Sequence, residues 1–437
     1  MQNPASTAAA VADPVLDDLL ARETARQFYT AKLIPSENYA SSAVLAATGS
    51  VLTNKYSEGY PTKRYYEGQQ IIDRVEQLAI DRAKSLFGAD HANVQPYSGS
   101  PANLAAYVAL IGKKSENNRI LALSLAEGGH LTHGHNVSVT SRFFEAHHYG
   151  IDRDSCLLDY EAIAARARDV RPAVLVAGAT CYPHIIDFER MAAIAAEVGA
   201  ALLCDIAHIA GLVVGGAHPS PVPHADIVST TTHKTLRGPR GGMLLCKEQH
   251  AKAVDRAVFP GLQGGPHEHA VAALAVALHE AAQPSFAAYA HQIVRNAQAM
   301  ADELLLQGVH VITGGTDNHL VLFDATTLGC GGKEAAIAMD TAGLEANANS
   351  IPFDPRKPMD PSGVRIGSPS LTSRGLDADD CRQVARWIAE SIRKRNEPAA
   401  LAAIANGVHD LMAAHPAPGF QAPWPDRALL GAPSAAG

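Results

Sequence analysis

The sequence predicts an α/β protein with a large domain on a mostly parallel sheet, followed by a smaller C-terminal α+β domain. Two observations carry this reading. Short apolar runs alternate with helical segments through the middle of the chain, as in Ala173–Gly178, Phe188–Val198 and Ala201–Cys204, which is the order of a strand–helix–strand unit. Polar chemistry then gathers where such runs stop: Asp205 and His208 follow one, and Lys234 follows another. Functional groups collect at the carboxyl ends of strands in open α/β sheets. At 437 residues the chain can bury a large core and divide into two domains.

Taken in order, residues 1–53 read as an N-terminal arm with one amphipathic helix around Val15–Thr30. Residues 54–284 read as the large domain. Within it, Ser98-Gly99-Ser100 before Pro101 marks a helix start, with serine at the cap and proline in the first turn. Residues 225–230 and 241–246 read as short buried strands on either side of the glycine-rich turn after Lys234. Near Pro284 an alanine-rich helix leads into the smaller domain, residues 285–415, which holds Asn349 and Arg365. Residues 416–437 are proline-rich and expected to be a mobile tail. No internal repeat is present.

A lysine partly withdrawn from water loses pKa and becomes an amine nucleophile, as a Schiff base to an aldehyde cofactor requires. Lys234 alone reads as a solvated loop lysine, as most lysines do. Asp205 changes the balance, because a carboxylate at a strand end needs a cation, and the protonated ring nitrogen of pyridoxal phosphate supplies one. Residues 98–100, at a helix start, would then cradle the phosphate, although a lone Ser-Gly-Ser is commonly just a cap.

The chain resembles the serine hydroxymethyltransferases, fold-type I pyridoxal phosphate enzymes, from about Leu33 to Trp387. The blocks that carry the resemblance are Pro35-Ser-Glu-Asn-Tyr, Asn54-Lys-Tyr-Ser-Glu-Gly-Tyr-Pro, Lys63-Arg-Tyr-Tyr, Val75-Glu-Gln-Leu-Ala, Gln95-Pro-Tyr-Ser-Gly-Ser, Gly128-Gly-His-Leu-Thr-His-Gly, Asp205-Ile-Ala-His-Ile-Ala-Gly-Leu, Thr230 to Gly242, Phe259-Pro-Gly-Leu-Gln-Gly-Gly-Pro, Gly315-Thr-Asp-Asn-His and Gly363-Val-Arg-Ile-Gly. The resemblance implies that Lys234 carries the cofactor covalently, Asp205 pairs with its ring nitrogen and His130 stacks on the ring. It places His208 near the phenolic oxygen, and Ser98, Gly99 and Ser100 on the phosphate, with Gly264 and Gly265 reaching it from a second subunit. Thr180 and His233 join the cofactor set, and Thr231 the catalytic one. Arg365 is implied to clamp the substrate carboxylate, a task that suits a planar guanidinium, assisted by Ser36 and Tyr56. Glu58 is the implied acid–base carboxylate, with Tyr65 and Tyr66 lining the same cavity. Tyr56, Glu58 and Tyr66 are expected in the neighbour's site, which implies a homodimer with shared sites; pairing of dimers into a tetramer stays open. Leu125, Gly129, Leu131 and Asn349 are the candidates for binding the co-substrate tetrahydrofolate. Glu37 reads as a supporting residue.

A transaminase or decarboxylase of the same fold would share the lysine, aspartate and phosphate loop, but the Tyr56-Ser-Glu58 and His130 blocks argue against it. A binding-only relative would be expected to lose Lys234 or Arg365. His130, His133, His135, His267 and His269 lack the cysteine or carboxylate that would complete a tetrahedral set, so no metal is expected. A net charge of −8 without a long basic stretch argues against a nucleic-acid partner. No apolar run reaches spanning length, so no membrane partner is expected. The six cysteines lack paired metal spacing, and the N-terminus lacks a basic region before an apolar core. The expectation is a reducing, cytoplasmic setting. Three departures bear on the substrate: Ala348 between Asn347 and Asn349 where the family usually has lysine, Phe353 where a small polar residue is usual, and Thr180-Cys181-Tyr182 where serine often stands first. They leave α-methylserine, cleaved with or without folate, as an alternative to serine.

Overall fold

The computed structural model describes residues 13–112 and 115–430. Helix α1 (Pro14–Tyr29) opens on Asp13, whose carboxylate accepts from the Leu16 N–H at 3.1 Å, with Pro14 in the first position. The next long helices are α2 (Gln70–Phe87), α3 (Gly99–Ile111), α4 (Glu268–Ala281) and α5 (Pro284–Leu306). The large sheet has seven strands: β1 (His91–Asn93), β2 (Arg119–Leu123), β3 (Glu145–Tyr149), β4 (Val174–Gly178), β5 (Ala201–Asp205), β6 (Ile227–Thr231) and β7 (Gly242–Cys246). Their spatial order is β1-β7-β6-β5-β4-β2-β3. β7 runs antiparallel to both neighbours and the remaining pairs are parallel. The strands expected at 173–178, 201–204, 225–230 and 241–246 lie within two residues of these bounds.

β4, β6 and β7 are buried at every position, as strands covered on both faces must be. Alternate residues feed two cores. Leu175, Ala177, Leu202 and Cys204 join one with Met191 and Leu274, while Val174, Val176 and Leu203 pack on Ala102, Ala106 and Tyr107 of α3. The parallel strands end together, so Asp205 and Thr231 close neighbouring strands on one rim of the sheet, with Asp205 paired to Ser229.

The smaller sheet comprises β8 (His310–Val311), β9 (Leu320–Asp324), β10 (Asn347–Asn349) and β11 (Gly363–Gly367), in the antiparallel order β8-β9-β11-β10. Helix α5 joins the two bodies. Its Phe286, Ala290 and Ile293 lie in the large core, and its Ala297, Met300 and Leu304 in the small one. Part of the arm packs with the smaller body: Ala31 and Lys32 pair with Leu344 and Glu345, and Leu33 is fully buried there.

Proline content predicts a mobile tail over 416–437; residues 416–430 lie against the arm and the last long helix through a few contacts. Phe420 and Trp424 lie 5.4 and 5.2 Å from the Phe28 ring, and Arg427 reaches Asp410 at 2.9 Å. Contact of these rings with Phe28 places the segment against α1, although Trp424 remains 48% exposed. Residues 431–437, and the first twelve of the arm, lie outside the described residues.

Candidate active site

Asp205 ends β5 with both carboxylate oxygens occupied. Oδ2 accepts from Asn103 Nδ2 at 2.8 Å and faces His133 Nε2 at 3.0 Å, while Oδ1 accepts from the Ala207 N–H. Burial alone would raise this carboxyl, but the His133 and Asn103 bonds and the nearby imidazoles hold it well below the usual carboxylate range. The His130 N–H donates to His133 Nδ1 at 3.2 Å, which leaves the His133 proton on Nε2, aimed at Asp205. Asp205 is thus a buried, committed anion.

Lys234 stands three residues beyond β6, with its carbonyl held by Asn38 Nδ2 at 2.9 Å. Burial pushes its amine down to about 8 against the pull of Asp205, and the Arg365 and Arg240 charges add to the fall. Arg365, in the centre of β11, is 8% exposed. Its NH1 donates to the Thr180 carbonyl at 2.8 Å and its Nε to Asn347 Oδ1 at 3.3 Å. These bonds fix the guanidinium plane and leave further N–H groups free of protein partners. Thr180 therefore orients Arg365 through its main chain.

At the α3 start the Ser98 side chain makes no capping bond. A Cβ on Gly99 would stand 2.7 Å from Thr231 Cγ2, and one on Gly242 would stand 2.5 Å from the Ser98 carbonyl. The backbone thus comes close to the end of β6 at an uncapped helix start, the geometry that receives an anion. His130 is held by Thr132 Oγ1 at 2.7 Å, and burial lowers its ring to about 4. His208 Nδ1 faces His319 Nε2 at 3.2 Å, and burial depresses both imidazoles. His233 faces Arg240 at 2.8 Å and has a buried Nδ1 without a partner. Lysine amine, anionic aspartate, neutral imidazoles and an uncapped helix start together suit pyridoxal phosphate: a carbonyl partner, a ring cation, an aromatic plane and a phosphate.

A second group of expected residues lies apart from these. Glu58 accepts from the Tyr56 and Tyr66 hydroxyls, each at 3.1 Å. The two tyrosines are 58% and 46% exposed. Gly264 and Gly265 share this patch: a Cβ on the first would lie 3.3 Å from Glu58 Oε1, and one on the second 2.9 Å from the Ser57 carbonyl. No hydrogen bond among the described residues ties the cluster to Lys234, Asp205 or Arg365. Ser36 lines a cleft of about 700 Å³ with His233 and Arg240 and makes no hydrogen bond to Arg365 among the described residues.

Of the folate candidates, Leu125 opens a short turn, Leu131 is 44% exposed and Asn349 bonds the Ser350 carbonyl at 2.7 Å. Gly129 is tightly enclosed, since a Cβ there would stand 2.1 Å from the Leu123 carbonyl. Sequence reasoning missed His133 and Asn103 as partners of Asp205, and His319 as the partner of His208. A histidine three residues after His130 was a signal, though it was weighed only as a metal ligand.

A family model described as serine hydroxymethyltransferase matches residues 9–388. Among curated relatives, a serine hydroxymethyltransferase of Acidothermus cellulolyticus is 57% identical, covering 93% of this chain and 96% of its own length. That of Sorangium cellulosum is 56% identical, over 94% and 96%. That of Desulfotalea psychrophila is 52% identical, over 95% and 97%. Their names favour serine over the α-methylserine alternative. The chain belongs to the serine hydroxymethyltransferase family, whose members interconvert serine and glycine with pyridoxal phosphate and tetrahydrofolate.

Proposed function

We propose that Lys234, Asp205 and Arg365 form the fixed wall of the hydroxymethyl-transfer site, and that Tyr56, Glu58 and Tyr66 of a second copy complete it. The buried Asp205 anion carries this reading, because it is held ionised with no arginine or lysine bonded to it among the described residues and so calls for a cationic ring. Bound pyridoxal phosphate supplies an electron sink for the pair left on Cα when the Cα–Cβ bond breaks. The chain's residues do the rest. Ser98, Gly99 and Ser100 hold the phosphate, joined by Gly264 and Gly265 of the second copy. Arg365 takes the substrate carboxylate with its unused N–H groups and so fixes which Cα bond stands ready to break. Lys234, with its amine near pH 8, exchanges between free and protonated forms as substrate enters and product leaves.

Glu58 receives the hydroxyl proton as the hydroxymethyl carbon departs, with Tyr56 and Tyr66 steering it. Burial lowers the His130 and His208 rings, so they pack beside the cofactor as neutral imidazoles, with Thr231 and His233 near them. Leu125, Gly129, Leu131 and Asn349 line the approach for folate, which takes the carbon. Exposure of Tyr56 and Tyr66 supports a shared-site homodimer, since groups that act on substrate need water excluded by something. A reducing, cytoplasmic setting fits six free thiols, five of them buried. Among the described residues no helix is long and apolar enough to cross a membrane.

The test compares L-serine and α-methyl-L-serine as substrates of the purified holoenzyme, each with and without tetrahydrofolate. Serine cleavage that needs folate, with little turnover of α-methylserine, is the expected result. Preference for α-methylserine, or full-rate serine cleavage without folate, would overturn it.

A further inference from the structure

Beneath the exposed tyrosines lies a carboxyl that the reaction does not use. Glu268, in the first turn of α4, is 1% exposed, and its Oε1 accepts from the Ser57 hydroxyl. Ser57 is itself fully buried and sits between Tyr56 and Glu58. Two glutamines grip the same strip: Gln69 Nε2 donates to the Tyr56 carbonyl at 3.1 Å, and Gln95 Nε2 to the Gly59 carbonyl at 2.9 Å and to Glu76 at 2.7 Å. Glu268 Oε2, Gln69 Oε1 and Gln95 Oε1 are all buried with no partner among the described residues. Three side chains that hold residues 56–59 therefore present three acceptors and no donor to match them. Buried polar atoms are rarely left so.

Charge counting points to what is missing. Arg64 on the adjoining hairpin pairs with Glu76 at 2.6 Å and Asp73 at 2.9 Å, and both carboxylates lie on α2. Among the described residues Glu268 has no ion pair. Ionised, it would be a buried third carboxylate sharing one guanidinium. Protonated, its Oε2 becomes an O–H donor, the kind of group these buried acceptors lack. Burial raises the carboxyl, the Ser57 bond opposes this and Glu76 adds to it, which leaves Glu268 at about 7.

We propose that Glu268 is a positioning residue: it anchors Ser57, and through Ser57 it holds Tyr56 and Glu58 in the geometry with which they enter the second copy's site. This rests on the shared-site reading above. Glu268 touches neither substrate nor cofactor and acts through the backbone of residues 56–59.

The test uses the holoenzyme. Glu268→Leu should lower kcat for serine by about tenfold through lost alignment, while the visible cofactor band, set by Lys234 and Asp205, keeps its position. Glu268→Gln, which can donate as the acid does, should recover most of that loss. Refolding Glu268→Leu together with Lys234→Ala should restore about a quarter of wild-type turnover, because half the dimers pair the two chains and one of their two sites is then whole. Glu58→Gln mixed with Lys234→Ala is the control for shared sites. If that control fails to regain turnover, the shared-site reading falls. If it succeeds while the Glu268→Leu mixture does not, or if Glu268→Leu keeps full kcat, or if Glu268→Gln is no better than leucine, the role of Glu268 is overturned. Should Glu268→Leu not fold, Ser57→Ala removes the same bond from the other side and must show the same loss with the same rescue in mixture.

Discussion

Lys234 and Glu58 stand in opposite surroundings within one chain. Lys234 shares a buried rim with Asp205, His133 and Arg365: burial lowers the Lys234 amine and the Arg365 guanidinium, hydrogen bonds from His133 and Asn103 hold Asp205 low, and Arg365 is held from both bodies by Thr180 and Asn347. Glu58 lies on the surface between two exposed tyrosines. A preorganised site keeps water out, so the proton-transfer role proposed for Glu58 requires that something cover it. The contrast is what the proposed shared site rests on, with the cofactor wall built by one chain and the hydroxymethyl end supplied by a second.

The largest effect expected tests this directly. Lys234→Ala should cut turnover by about 10³-fold or more and abolish the visible band of the covalently held cofactor. Glu58→Gln should cost about 10²–10⁴ in kcat and leave that band in place. Spectra and steady-state kinetics of the two purified variants decide it. Loss of the band in Glu58→Gln would place both residues in one setting and erase the contrast.

Arg365 sharpens the buried side. Because Thr180 and Asn347 already fix its plane, Arg365→Ala should cost on the order of 2–4 kcal/mol in apparent substrate binding, seen mainly in KM. Lysine should rescue it poorly, since a point charge cannot reproduce the fork. A wild-type KM in Arg365→Lys would mean that the carboxylate binds elsewhere.

The same contrast explains what the sequence made legible. Lys234 and Asp205 were readable because each ends an apolar run, and a parallel sheet gathers such ends on one rim. The partners that hold Asp205 ionised were not readable: His133 and Asn103 stand 72 and 102 positions away, and only packing on β5 brings them together. Glu268 was hidden for the same reason. A glutamate in a first helical turn reads as an ordinary companion of the helix dipole, and nothing local reveals Ser57 211 positions before it. In the tail, proline content describes the backbone, and nothing local reveals that Phe420 and Trp424 lie against Phe28.

Beneath the surface cluster, Glu268 makes the two regions titrate differently. Its native carboxyl stands at about 7 against an ordinary 4.5, so the folded form binds the proton more tightly than the unfolded one. The stabilisation is full below pH about 4.5 and is lost as pH rises through 7, amounting to about 3 kcal/mol. Denaturation midpoints measured from pH 5 to 8 should therefore fall more steeply for the wild type than for Glu268→Gln. Parallel curves would show that Glu268 is ionised throughout.

The smallest effect concerns the outer edge of the buried side. Ala348 lies on β10, the edge strand of the smaller sheet, paired with Val364 one residue before Arg365. It is only partly buried, so a lysine there could extend to solvent without disturbing Asn347, which supports Arg365. An exposed pair with a glutamate-tail carboxylate is worth about 0–1 kcal/mol and is screened by salt. Ala348→Lys should therefore tighten polyglutamylated folate by no more than about fivefold at low salt, with the gain fading at high salt and the serine KM unchanged. Titration of mono- and polyglutamylated folate at two ionic strengths measures it. A change in serine KM would show that the substitution reaches Arg365 through Asn347, and that this edge is coupled to the clamp.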